Sequence, residues 1–193
     1  KNFFKEIFLS IFLIDSNIII IRKEKIIIPV FNLFSLILYG SIMGLGGGCL
    51  RYKVYIKSNI TGFVNILECC KSTNIKSIFY ASSSSVYGNQ NSTNSMREVD
   101  MSNKPVSLYG ATKLSNEIIA NVYRELYNIN SIGLRFFTVY GPYGRPDMAY
   151  YGFTKSILGN KRIKIFNNGK HKRAFTYIDD VTHSIFLLFE KFK

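Results

Sequence analysis

The sequence predicts an α/β fold built around a mostly parallel sheet. From about Tyr52 onward, short β-rich runs alternate with segments of helical periodicity, an order typical of parallel strands with helices packed against them. The first clear strand, Ser77–Ala81, leads directly into a run of serines. A polar loop at the carboxyl end of a parallel strand is where α/β proteins usually place their active site.

The composition indicates a packed domain with an anionic partner. Hydrophobic residues make up 47% of the 193 residues and charged residues 19%, which excludes a disordered, collagen-like or disulfide-scaffold chain. The 25 lysines and arginines outnumber the 12 aspartates and glutamates, and most of the net charge of +13 follows residue 50. A nucleic acid, an anionic membrane or a phosphorylated small molecule would match this charge. Nucleic acid is disfavoured because no recognisable binding module interleaves the basic residues with aromatic ones.

The cysteines and histidines indicate neither a metal site nor a secreted protein. Cys49, Cys69 and Cys70 form no CxxC motif, and the two histidines, His171 and His183, are not at metal-ligand spacing. An odd cysteine count is typical of a reducing compartment. We therefore expect a cytoplasmic protein without a bound metal.

Residues 1–50 are an apolar segment that stays unassigned, whereas residues 51–193 form the predicted α/β domain. Ile26–Leu50 has no charged residue and exceeds the roughly 20 residues that a membrane-spanning helix needs. Pro29 and several glycines make it a poor continuous helix, and Phe34–Tyr39 fits a buried strand equally well. A buried or poorly ordered segment is favoured, with membrane attachment through residues 26–50 as the alternative.

Local patterns predict the elements of residues 51–193 in order. A helix near Ser58–Ser72 precedes the strand at Ser77–Ala81. A longer helix is predicted at Leu108–Tyr127 because apolar residues recur there at helical spacing, with charges on the other face. The recurring residues are Leu114, Ile118, Ile119, Val122 and Leu126. A strand at Ser131–Thr138 follows and is stopped by Gly141-Pro142.

The remaining predicted elements are shorter. They are a helix near Tyr150–Leu158, a strand at Arg162–Phe166, an extended run at Ala174–Ile178 and a final helix from about Asp180. A basic loop that contains Asn168-Gly169 separates the last two extended runs. An ordinary solvated surface accounts for this loop as well as an anion site does.

Tyr109 and Lys113 are the first candidates for chemistry. They stand four residues apart, so on a helix both side chains project from one face. A cation beside a phenol favours the phenolate and lowers the phenol pKa from about 10 toward the range of a general base. Taken alone, the pair fits an ordinary surface contact equally well. The serine run Ser82–Ser85 strengthens the catalytic interpretation, because it offers a hydroxyl that can hydrogen-bond the oxygen that Tyr109 deprotonates.

The ordered motifs resemble the extended short-chain dehydrogenase/reductase family of nucleotide-sugar epimerases and dehydratases, most closely the UDP-glucuronate 4-epimerases. The matching runs are Ser58-Asn59, Tyr80–Gly88, Tyr109–Lys113, Arg135–Pro142, Gly144–Met148 and Phe175–Val181. The resemblance covers about residues 51–190. It implies an incomplete Rossmann-type fold, a doubly wound parallel sheet with the start of a smaller substrate-binding lobe. It also implies NAD as cofactor and a UDP-sugar as substrate, and it is compatible with a homodimer.

The resemblance also assigns roles to individual residues. Tyr109 is the general base and acid on the sugar 4-hydroxyl, Lys113 holds the cofactor ribose and tunes the tyrosine, and Ser83 is the catalytic hydroxyl. The implied cofactor-binding residues are Asn59, Ala81, Ser82, Tyr109, Lys113 and Phe136. The implied substrate-binding residues are Ser83, Ser84, Ser85, Thr138, Arg145 and Arg173. An arginine suits bidentate contact with a diphosphate, although Ala174 stands where the family usually has an aspartate after Arg173.

The implied reaction is epimerisation at C4 through a transient 4-keto sugar, which converts UDP-glucuronate to UDP-galacturonate. NAD+ accepts the C4 hydride as Tyr109 takes the hydroxyl proton, and the hydride returns to the other face of the sugar. A related dehydratase or decarboxylase is the enzymatic alternative. Dehydratases of the family typically place Asp-Glu where this chain has Ser84-Ser85, which favours epimerisation.

The glycine-rich dinucleotide fingerprint is not found where the family has it. Gly40, Gly44 and Gly46 follow an apolar run, but too few residues separate them from Asn59 for the intervening strand, helix and acidic residue. We therefore expect the middle of an epimerase, joined to an unrelated or frame-shifted N-terminus. A second hypothesis follows, namely a non-catalytic remnant that binds NAD poorly.

Overall fold

The computed structural model describes residues 18–22, 25–27, 52–53, 55–89, 96–99, 104–142, 144, 146, 148–165, 167–170 and 172–191. The chain divides into two compact units. One lies within Ile14–Phe136, and the described residues from Phe137 onward belong to the other. The candidate strand Phe34–Tyr39 and almost all of the charge-free stretch fall outside the described residues.

The first unit contains a four-stranded sheet. Its strands are β1 (Ile18–Arg22), β2 (Lys25–Ile27), β3 (Ser77–Ser83) and β4 (Asn130–Phe136). The spatial order is β2-β1-β3-β4, with β3 parallel to β4 and β1 antiparallel to both β2 and β3. The parallel pair was predicted, whereas the antiparallel hairpin of β1 and β2 was not. Its isoleucine runs show no regular alternation, so the pairing partner rather than the local pattern defines these strands.

Two helical segments pack with this sheet. A π-helical turn, Ile56–Thr61, continues into helix α1 (Gly62–Ser72), and helix α2 spans Leu108–Tyr127. Both helices were predicted, α2 with its exact bounds. The Ser107 side chain caps α2 by accepting from the Gly110 N–H, and Asn128 ends the helix in the left-handed conformation at φ 54°.

The main core lies between α1, α2 and the β3 side of the sheet. Its buried members are Phe63, Leu67, Cys70, Ile75, Ile78, Tyr80, Ala120 and Ile129. On α2 the outcome differs from a simple amphipathic helix. Ile118, Val122 and Leu126 are exposed, while Thr112, Lys113 and Asn116 are buried. The buried residues of α2 thus combine the polar Thr112, Lys113 and Asn116 with the apolar Leu114 and Ala120.

The second unit is built from short elements. They are β5 (Thr138–Tyr140), α3 (Ala149–Leu158), β6 (Phe175–Tyr177) and α4 (Ile178–Lys191). Strands β5 and β6 pair in parallel, and α3, β6 and α4 agree with the predicted elements within about two residues. The predicted strand Ser131–Thr138 is interrupted at Phe137, which lies between β4 and β5. The predicted strand at Arg162–Phe166 is wrong for residues 162–165, because β5 and β6 are the only strands of their sheet in the described part and leave this run without a ladder partner. Phe166 lies outside the described residues.

The membrane alternative concerns residues 26–50, of which residues 26 and 27 are described. None of the helices in that part of the chain is both long enough and apolar enough to cross a bilayer.

Replacement of Gly133 by alanine should destabilise the first unit. Gly133 pairs with Tyr80 across β3 and β4, and a Cβ at this position would lie 2.6 Å from the Tyr80 hydroxyl and 2.7 Å from its Cζ. The ring has no room to move, because it is buried and its centroid lies 5.0 Å from that of Phe63. We expect a loss of about 1–3 kcal/mol in the free energy of unfolding, measured by urea denaturation.

Gly152→Ala is the matched control for this change. A Cβ at Gly152 meets no atom within 4 Å, and alanine is the better helix former in α3 by about 1 kcal/mol. Equal stability of Gly133→Ala and the unmutated chain would contradict the expected clash.

Candidate active site

The predicted serine loop lies at the carboxyl end of β3. Ser82 and Ser83 end the strand and are both buried, and Ser84–Tyr87 form a single 3-10 turn. The Ser83 Oγ accepts from the Ser85 N–H at 3.2 Å and donates to the Ser85 Oγ at 3.2 Å. The loop thus has a defined shape in which the hydroxyl of Ser83 caps its own turn.

Tyr109 and Lys113 occupy the first turns of α2, as the spacing predicts. The Lys113 Nζ lies 5.8 Å from the centroid of the Tyr109 ring, so the cation is adjacent to the phenol. The Lys113 side chain is only 4% exposed, and its Nζ donates to the Ala81 carbonyl at 3.0 Å. That hydrogen bond fixes a buried cation between the helix and the end of β3. Tyr109 itself is half-buried.

Asn59 supports the same region from the π-helical turn. Its Nδ2 donates to the Thr112 Oγ1 at 3.0 Å, and the Thr112 hydroxyl donates to the Tyr109 carbonyl at 2.8 Å. The ring of Tyr55, just before the turn, lies 5.8 Å from the Tyr109 ring. A π-helical turn adds a residue to a helix and often occurs at functional sites. Here it carries the buried amide of Asn59 to Thr112 on α2.

Three polar residues of the site were missed by the sequence analysis. Asn116 is buried on α2, and its Oδ1 has no hydrogen-bond partner within the described structure. Glu117 and Arg135 form a bidentate ion pair, with contacts of 2.8 Å and 3.0 Å, between α2 and β4. Asn116 could have been suggested by its position one turn after Lys113. The Glu117–Arg135 pair leaves no local signal, because its members are remote in sequence.

The electrostatics of this region follow from the ion pair and from burial. The hydrogen bonds that Arg135 donates to the Glu117 carboxylate raise the pKa of Arg135 above its usual value, so its guanidinium stays charged. Burial raises the pKa of the Tyr80 hydroxyl, and the negative charge of Glu117 acts in the same direction. Tyr80 is therefore a neutral core residue, unsuited to the role assigned to Tyr109.

The predicted site residues fall into both units. The first unit contains the predicted cofactor residues and the serine loop, namely Asn59, Ala81, Ser82, Ser83, Ser84, Ser85, Tyr109, Lys113 and Phe136. Phe136 ends β4, opposite Ser83 in the parallel register. Thr138 and Arg173 belong to the second unit, where the Thr138 N–H donates to the Ala174 carbonyl at 3.2 Å. Arg173 is exposed and donates to the Lys172 carbonyl at 2.9 Å. Arg145 lies outside the described residues.

The first unit offers polar groups that suit the ribose end of a dinucleotide. Lys113 supplies a buried cation and Asn116 an unsatisfied amide oxygen on the same face of α2, a donor and an acceptor that fit vicinal hydroxyls. Gly40, Gly44 and Gly46 lie outside the described residues. The residues present therefore fit the reactive half of the cofactor.

A parallel strand pair that ends in a serine loop, together with a helical Tyr–Lys pair, is typical of the short-chain dehydrogenase/reductase class. The chain belongs to the NAD dependent epimerase/dehydratase family, whose model matches residues 45–193. The predicted family and the predicted α/β fold are both confirmed by this match and by the solved structures to which the chain is similar.

The similar proteins are all considerably longer than this chain. Protein CapI of Staphylococcus aureus is 52% identical over 139 residues, which cover 72% of this chain and 41% of that protein. UDP-glucuronate 4-epimerase 4 of Arabidopsis thaliana is 49% identical over 160 residues, covering 78% and 36%. The crystal structure of UDP-glucuronic acid 4-epimerase from Bacillus cereus with UDP-glucuronic acid and NAD superposes with a TM-score of 0.64 at 39% identity, over 70% of this chain and 42% of that one. The chain thus spans about two fifths of the length of these relatives.

Proposed function

We propose that the protein is an NAD-dependent nucleotide-sugar 4-epimerase that interconverts UDP-glucuronate and UDP-galacturonate. The observation that carries the proposal is the pairing of Tyr109 with the buried Lys113, which is fixed to the end of the strand that bears Ser83. The similarity to UDP-glucuronate 4-epimerases supports the choice of sugar.

The chain's own residues perform the proton chemistry in this proposal. Tyr109 accepts the proton of the sugar 4-hydroxyl as a phenolate and later returns it. The Lys113 cation stabilises that phenolate, and burial strengthens the effect because fewer water molecules screen the charge. The Ser83 hydroxyl hydrogen-bonds the same sugar oxygen and orients it toward Tyr109. When bound, NAD supplies a hydride acceptor and donor for the sugar C4.

Basic residues of the second unit are candidate contacts for the substrate's diphosphate. The segment between α3 and β6 is rich in basic residues, namely Lys161, Arg162, Lys164, Lys170, Lys172 and Arg173. We place Arg173 at the diphosphate, with Arg145 and Thr138 as further substrate contacts. Binding of a negatively charged diphosphate would explain part of the excess of basic residues behind the net charge of +13.

The residues of the serine loop favour epimerisation over elimination of water. Ser84 and Ser85 stand in the 3-10 turn after Ser83, and neither can act as the carboxyl acid and base pair that a dehydratase needs. A related decarboxylase would retain the same oxidation at C4, so product analysis is needed to distinguish it.

The test is turnover by the purified chain. With NAD+ and UDP-glucuronate, we expect UDP-galacturonate to accumulate toward an equilibrium mixture, followed through the anomeric proton signals by NMR. Reactions without NAD+ and with heat-denatured protein are the controls. The proposal would be contradicted by the absence of any UDP-galacturonate after prolonged incubation, and a decarboxylated or dehydrated product would favour the related activities.

The second candidate is a remnant that does not bind NAD, favoured by the missing glycine fingerprint in the sequence. Calorimetric titration with NAD+ distinguishes the two candidates. Stoichiometric binding would exclude the remnant, whereas no heat of binding together with no turnover would support it.

A further inference from the structure

The Glu117–Arg135 ion pair lies beside the serine loop and has an unusually defined geometry. The Arg135 Nη2 contacts the Glu117 Oε2 at 2.8 Å, and the Nε contacts the Oε1 at 3.0 Å. Both side chains are only 14% exposed. A bidentate contact of this kind fixes the orientation of both partners as well as their separation.

The pair contacts the serine loop at both of its ends. At the start, the Ser82 Oγ donates to the Glu117 Oε1 at 2.5 Å. At the far end, the Arg135 guanidinium lies 4.8 Å from the centroid of the Tyr87 ring, which closes the 3-10 turn. Ser83, Ser84 and Ser85 lie between these two contacts. The segment that carries the proposed catalytic hydroxyl is therefore held at each end by the same two charges.

The pair also joins the loop to the helix that carries Tyr109. Lys113 and Glu117 are one turn apart on α2, and they bind consecutive residues of β3, Ala81 through its carbonyl and Ser82 through its hydroxyl. Arg135 is the register partner of Ser82 on the neighbouring strand. Its Nη1 further donates to the Glu98 carbonyl at 3.0 Å. The ion pair thus connects four parts of the chain: strand β3, strand β4, helix α2 and the segment at Glu98.

Stability alone does not account for this arrangement. The desolvation cost of a poorly exposed ion pair largely cancels its attraction, and apolar residues of similar volume are often as stabilising. What apolar residues cannot provide is the directional contact with Ser82 and Tyr87.

We propose that Glu117 and Arg135 are positioning residues, which set the place of the Ser83 hydroxyl relative to Tyr109; the catalytic consequence rests on the function proposed above. They act through Ser82 and Tyr87. A displacement of about 1 Å at a reacting group lowers a rate by on the order of 100-fold. Contacts that fix both ends of the loop should therefore keep kcat high by keeping the Ser83 hydroxyl in place.

The test compares four variants of the full chain: Glu117→Gln, Arg135→Lys, the double variant Glu117→Met/Arg135→Met, and Glu125→Gln as control. Glu125 lies on the same helix, and its contact with Arg124 is exposed. Hydrogen–deuterium exchange of the backbone amides in 83–88 and in α1 is measured for each variant. Thermal unfolding, kcat and KM are recorded in parallel.

We expect at least about tenfold faster exchange in 83–88 for the first three variants, with α1 unchanged. We expect kcat to fall by on the order of 100-fold while KM changes little. The double variant should keep a thermal midpoint close to that of the unmutated chain and yet show the same loss. Glu125→Gln should match the unmutated chain in every measurement.

Two results would overturn the proposal. One is exchange that becomes faster by the same factor in α1 and in 83–88, which would assign the pair a purely structural role. The other is a double variant with normal kcat. If the unmutated chain itself shows no turnover, the proposed epimerase function fails, and the exchange pattern alone still decides whether the pair holds the loop.

Discussion

Tyr109→Phe is expected to reduce epimerisation by about 1,000-fold or more, because it removes the hydroxyl that exchanges a proton with the sugar. General acid–base catalysis by a single side chain contributes on the order of 100- to 10,000-fold. The ring remains, so its 5.8 Å contact with Tyr55 and the fold of α2 should be preserved. The measurement is kcat by NMR, together with unfolding in urea.

Tyr123→Phe is the matched control for this substitution. Tyr123 lies on the same helix and donates to the Glu68 Oε1 at 2.6 Å, remote in sequence from the serine loop. We expect its kcat to equal that of the unmutated chain. Residual activity of Tyr109→Phe above about a tenth of normal would refute the role of Tyr109 as proton acceptor.

Lys113→Met is expected to reduce kcat by about 100-fold or more. Methionine fills much of the lysine volume, but it removes the cation beside the Tyr109 ring and leaves the Ala81 carbonyl without the 3.0 Å hydrogen bond. Without the cation the phenolate is less favourable. The activity that remains should therefore require a higher pH, so the acidic limb of the pH–rate profile should move upward.

Lys71→Met serves as the control, because Lys71 is exposed on α1 and pairs with Glu68 at 3.4 Å. Neither its rate nor its pH profile should change. An unaltered pH profile for Lys113→Met would show that Lys113 does not tune the base.

Local sequence patterns predicted correctly those elements whose structure is determined by residues close in sequence. Helix α2 was predicted with its exact bounds from the spacing of its apolar residues, and the structure shows Ser107 capping its start and Asn128 ending it in the left-handed conformation. The positions of Tyr109 and Lys113 on one helical face follow from the same periodicity. Strand β3 was likewise predicted, although it continues two residues beyond Ala81 into the serine run.

Local patterns did not predict strand pairing or burial that depends on residues far apart in the sequence. The hairpin of β1 and β2 depends on pairing with β3, which lies more than fifty residues later in the chain. On α2 the predicted apolar stripe is only partly buried, because Ile118, Val122 and Leu126 are exposed. Leu114 and Ile119 do face the interior, where they are joined by the polar Lys113 and Asn116. Hydrophobic periodicity does not predict the burial of a polar side chain such as Lys113, because that burial depends on a hydrogen-bond partner elsewhere in the chain, the Ala81 carbonyl.

The break between β4 and β5 at Phe137 has a consequence for how such a protein can diversify. The residues assigned to proton transfer and to its support, from Asn59 to Arg135, all precede this break, whereas Thr138, Arg145 and Arg173 follow it. Under the proposed function, substitutions at these later residues change candidate substrate contacts but do not replace either partner of the Lys113–Ala81 or Asn59–Thr112 hydrogen bond. If the proposed function holds, selection can vary these later contacts while the residues assigned to proton transfer stay the same.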